Sequence, residues 1–76
     1  MNEYKIGWVT VRIRKGDNEF GTPLAVEINK GGPAWYPYVG IYDEAQITPV
    51  LEKIGKITGD TEGAARNIRE APQRQG

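Results

Sequence analysis

The chain contains no histidine, no cysteine and no serine. A Ser-His or Cys-His nucleophile pair is therefore impossible, and acid–base chemistry would fall to carboxylates, lysine or tyrosine. The same absences remove the usual ligands of a structural zinc site and any disulfide framework, a composition that suits a reducing compartment and predicts a cytoplasmic protein. No apolar run reaches the length of a bilayer span, and Met-Asn-Glu-Tyr-Lys-Ile-Gly-Trp holds no signal-peptide core, so no membrane partner is expected. A charge excess is missing too: ten basic residues meet ten acidic ones. Residues 1–42 carry five and four, and residues 43–76 five and six, so neither half is a basic arm or an acidic mimic of nucleic acid.

Seventy-six residues make one domain near the lower limit at which a core is self-sufficient. Ordering each residue costs about 1.5 kcal/mol, so a chain of this size gains from dimerisation or a partner. We expect a single small domain over residues 1–70. Ala-Pro-Gln-Arg-Gln-Gly, residues 71–76, is too polar to bury and reads as a flexible tail.

Tyr4 to Arg14 alternates, with Gly7, Val9, Val11 and Ile13 on one face and Trp8, Thr10, Arg12 and Arg14 on the other, the pattern of a half-buried strand. Lys15-Gly16-Asp17-Asn18 supplies turn chemistry. Phe20, Leu24, Val26 and Ile28 then mark one face of a second strand, interrupted at Gly21-Thr22-Pro23 by a bulge or kink. After the breaker-dense Asn29-Lys30-Gly31-Gly32-Pro33, the run Trp35 to Tyr42 forms a third strand, and Pro37 places it at a sheet edge because proline donates no ladder hydrogen bond.

Ile47, Val50, Leu51 and Ile54 share a helical stripe, with Thr48 as N-cap and Pro49 at the first helical position, over a helix ending near Ile57. Thr58-Gly59-Asp60 ends it and caps a second, weaker helix holding Ala64, Ala65 and Ile68. The expected fold class is α+β: a three-stranded antiparallel meander packed on one face by a C-terminal helix, with a possible second short helix beyond it.

Period-two alternation sends Tyr36, Tyr38 and Tyr42 to one side of the third strand and Trp35, Val39 and Ile41 to the other. If the helix covers the aliphatic side, Trp8, Thr10, Arg12, Arg14, Glu27, Tyr36, Tyr38 and Tyr42 form the open face. A bulge or a one-residue slip would exchange the two sides. The candidate binding residues are Trp8, Arg12, Arg14, Trp35, Tyr36, Tyr38 and Tyr42.

Other motifs carry no chemistry. Asp43-Glu44 precedes a helix, where carboxylates complement the N-terminal dipole. Asp60-Thr61-Glu62-Gly63 lacks the calcium-loop pattern and reads as a cap. Gly31-Gly32 is a turn, and Gly55, Gly59 and Gly63, although at small-xxx-small spacing, read as helix punctuation. No catalytic residue, metal or cofactor is implied, and the chain is expected not to be an enzyme. Its expected role is protein–protein interaction, as an inhibitor or accessory subunit of the kind phages and mobile elements encode, through the aromatic and arginine-bearing face. The alternative is single-stranded nucleic-acid binding, with bases stacked on Trp8, Tyr36, Tyr38 and Tyr42 and phosphates met by Lys5, Arg12, Arg14 and Lys30. Two blander roles compete for the same residues: cross-strand packing, and the interface of a homodimer.

Overall fold

Apolar residues change parity between Ile6 and Val9, and the chain reverses there. In the computed structural model, which describes the backbone of residues 3–75 and the side chains of residues 3–69, strand β1 (Glu3–Ile6) pairs antiparallel with β2 (Val9–Lys15), Ile6 facing Val9. Gly7-Trp8 is left as a two-residue turn. Gly7 has φ 59°, and glycine in the first central position is the rule for the hairpin turn whose twist matches the flanking strands. A Cβ at Gly7 would also lie 2.7 Å from Thr58 Cβ. The single strand expected over Tyr4–Arg14 is therefore a hairpin, and Tyr4 and Ile6 join the core side.

Two further strands, β3 (Leu24–Asn29) and β4 (Tyr36–Ile41), complete an antiparallel meander in the order β1-β2-β3-β4. The fold is α+β with four strands and two α-helices among the described residues, one strand more than the alternation predicts. β4 is an edge strand, as Pro37 requires. Phe20 is not part of a strand. It sits in the 16–23 loop, which Asn18 organises by donating from Nδ2 to the carbonyls of Gly16 (2.9 Å) and Thr22 (2.6 Å) and accepting the Phe20 N–H (2.9 Å).

The first helix begins one turn earlier than Thr48-Pro49 suggests. Asp43 accepts the Ala45 N–H at 3.0 Å and Gln46 Oε1 accepts the Asp43 N–H at 3.3 Å, a capping box that starts a single 3-10 turn, Glu44–Gln46. It runs directly into α1 (Ile47–Thr58). Gly59, at φ 78°, ends α1 by donating to the Gly55 carbonyl, and the Asp60 N–H reaches the same oxygen at 2.9 Å. Helix α2 (Thr61–Gln75) follows. At 15 residues α2 is longer than α1 rather than the short helix expected, and its backbone runs through residues 71–75, where a tail is expected; the side chains there and residue 76 lie outside the described residues.

Both helices pack on one face of the sheet. Tyr4, Ile6, Val11, Val26 and Leu51 are fully buried between the layers, joined by Val9, Leu24, Ile41, Ile47, Ile54 and Ala64. Of the glycine series only Gly59 is punctuation. Gly55 is buried at the helix crossing, where an added Cβ would lie 2.6 Å from Ala64 Cβ. Asn67 donates to the Lys5 carbonyl at 3.0 Å and so ties α2 to β1. Among the described residues no helix is long and apolar enough to cross a membrane.

Candidate functional site

Register decides which face each side chain shares. Tyr4, Val11, Ile28 and Tyr36 lie in one row across the sheet, on the side the helices cover; Glu3, Arg12, Glu27 and Pro37 form the adjacent row on the opposite side. A bulge between Val26 and Glu27 makes Val39 and Pro37 consecutive partners, so Tyr38 is the extra residue. That one residue exchanges the faces of everything before it in β4. Val39 and Ile41 take the covered side as expected, whereas Tyr36 moves to that side and Trp35 to the open one.

The open face therefore holds Arg12, Arg14 and Trp35, the two arginines joined through Glu27 and Trp35 lying against Arg12. Arg12 Nε donates to Glu27 Oε1 at 2.6 Å, Arg14 Nε lies 3.6 Å from Oε2, and the Arg12 guanidinium stands 4.1 Å from the centre of the Trp35 ring. Glu27 is only 8% exposed. Arg14 is held further by donating to the Asp17 carbonyl at 3.0 Å. At the other end of this face the 16–23 loop folds inward, and a Cβ on Gly40 would meet Phe20 Cβ at 2.6 Å. Gly40 pairs with Ala25, which is fully buried although it lies on the side without helices.

The other aromatic residues gather on the helix side. Trp8, in the β1–β2 turn, and Tyr38 line a cleft of about 180 Å³ with Ile28, Lys30 and Ile57. The Lys30 ammonium stands 5.6 Å from the centre of the Tyr36 ring and thereby joins Tyr36 to this group. Trp8, Tyr36 and Ile57 are 55%, 52% and 60% exposed. Tyr38 also borders a second groove of about 400 Å³ between β4 and α1, with Val39, Pro49, Val50 and Lys53. Tyr42 lines neither cleft; it lies past β4, exposed, its backbone N–H donated to Gln46 Oε1 at 2.6 Å.

The seven candidate residues thus divide into an open-face cluster (Arg12, Arg14, Trp35), a helix-side cluster (Trp8, Tyr36, Tyr38) and the separate Tyr42. Ile57 was not among them, although an isoleucine three positions past Ile54 at the end of the stripe is a visible signal. Asp43 and Asp60 act as caps, Asp60 accepting the Gly63 N–H at 2.9 Å. No group of three or more His, Cys, Asp or Glu side chains that could hold a metal ion occurs among the described residues. Comparisons with protein-family models, curated proteins and solved structures give no match.

Proposed function

We propose that this chain is a non-enzymatic protein-interaction module whose contact surface is the helix-side cluster of Trp8, Tyr36, Tyr38 and Ile57. The observation that carries the reading is the convergence of Trp8, Tyr38 and Ile57 on one cleft, with Trp8 and Ile57 more than half exposed. Large apolar side chains gathered in one concave patch, rather than scattered singly, mark interaction sites, and Trp and Tyr are the residues that dominate such contacts. Protein is favoured over single-stranded nucleic acid because Arg12 and Arg14, two of the four expected phosphate contacts, share the Glu27 carboxylate on the face opposite Trp8, Tyr36 and Tyr38.

The test compares the partners retained from an extract of the producing organism by the wild type and by Trp8→Ala/Tyr36→Ala. A protein retained by the wild type and lost with the variant supports the reading; identical partner sets overturn it. Titration with single-stranded oligonucleotides separates the alternative, since binding that weakens steeply with salt would replace a protein partner with a nucleic acid.

A further inference from the structure

The helix-side cluster continues into a longer groove. Pro49, Val50, Lys53, Ile54 and Ile57 lie along one flank of α1, and the two hollows beside that flank share Tyr38 as a common wall. From Pro49 to Ile57 the helix rises about 12 Å, the length of two helical turns or of roughly four extended residues. The groove is apolar along this length and bears one cation in each hollow, Lys53 in the first and Lys30 in the second, with no carboxylate lining either.

No carboxylate balances that charge within the groove, whereas elsewhere cations stand beside acids. The crease on the opposite flank of α1 carries Glu52 beside Lys56, and on the open sheet face Arg12 and Arg14 share Glu27. Neither Lys30 nor Lys53 is in an ion pair among the described residues. A second copy pairing through β4 is disfavoured by that strand itself, since a proline and a bulge are devices that blunt an exposed edge.

Resting on the protein-interaction reading, we infer that the groove takes a short acidic segment of a partner protein, two bulky apolar side chains seating on either side of Tyr38 and carboxylates meeting Lys30 and Lys53. Steering by the two lysines selects acidic segments, and the apolar hollows supply most of the contact area.

The experiment pans a displayed library of random dodecapeptides against the full chain, then maps the enriched peptides by amide chemical shifts. The inference expects net-negative peptides with at least two large apolar residues, shifts centred on Tyr38, Val50 and Ile57, and binding weakened about tenfold by Lys30→Glu/Lys53→Glu. Both lysines are exposed, so that variant keeps the fold, and panning against it should enrich basic peptides instead. Neutral or basic peptides enriched in the wild-type groove overturn the acidic partner and leave the interaction module standing. Shifts centred on Arg12 and Trp35 overturn the groove. Concentration-dependent shifts in the groove of the free protein assign it to a second copy, and no enrichment by either protein overturns both readings.

Discussion

The backbone N–H of Gly7, in the turn between β1 and β2, donates to Asp60 Oδ2 at 2.8 Å across 53 positions of sequence. The other carboxylate oxygen accepts the Gly63 N–H at the start of α2, so one side chain caps a helix and fastens it to the far end of the sheet. The turn glycine and the capping aspartate act as a single joint.

That joint titrates. The Gly7 N–H first and the Gly63 N–H second hold the Asp60 carboxyl below its ordinary value against partial desolvation, and Arg66 adds a smaller pull the same way. A depressed folded pKa contributes stability that is present above the unfolded value of about 3.9 and lost as pH falls through the folded one. The thermal midpoint should therefore drop on acidification below about pH 4, and Asp60→Asn should start lower at neutral pH and drop less. Parallel acid limbs in the two proteins would remove Asp60 from the account.

Glu27 should behave as a structural carboxylate. Glu27→Gln leaves Arg12 and Arg14 without their shared anion, and with both arginines more than a third exposed on average the loss should be about 1–2 kcal/mol. Urea unfolding with an unchanged slope would measure it. Stability equal to wild type would mean that solvent replaces Glu27 fully.

Two glycines should respond to alanine for different reasons. Gly55→Ala gains about 1 kcal/mol of helix propensity but drives a methyl to within 2.6 Å of Ala64 Cβ, and overpacking of about 1–3 kcal/mol should prevail. Gly59→Ala meets open space and loses about 1 kcal/mol through its left-handed φ of 78°. A stabilised Gly55→Ala protein, read by its melting temperature, would show that α1 and α2 separate easily.

Ile54 and Ile57 are neighbours on α1 with opposite expected effects. Ile54 is 3% exposed, and Ile54→Ala should cost about 2–5 kcal/mol, a large share of the total stability of so small a domain. Ile57→Ala should leave the denaturation midpoint within about 0.5 kcal/mol while weakening peptide binding. Equal destabilisation by the two would place Ile57 in the core.

Much of the fold was legible because period and punctuation agree. The Leu24–Ile28 alternation, the Ile47–Ile54 stripe, the Pro37 edge and the Thr58-Gly59-Asp60 break all appear where residue chemistry puts them. What misplaced side chains on the sheet were two changes of phase. The switch from even to odd apolar positions between Ile6 and Val9 signals a two-residue turn at Gly7-Trp8, yet an unbroken alternation over Val9–Arg14 masks it. The Tyr38 bulge has no such signal, because Tyr36, Tyr38 and Val39 are all tolerated on either face of an edge strand. Since one inserted residue moves every earlier side chain to the opposite side, the aromatic face read from alternation becomes two clusters on two sides of the sheet.

The strands occupy residues 3–41 and the helices follow them, so synthesis delivers the layers in sequence. A hairpin forms in about 1–10 μs, whereas a ribosome adding about 5–20 residues per second needs roughly 1–5 s to supply the 27 residues from Asp43 to Arg69. For that interval Tyr4, Ile6, Val11 and Val26 have no helix to cover them, and the nascent sheet must be sheltered by the tunnel, by a chaperone or by its own collapse.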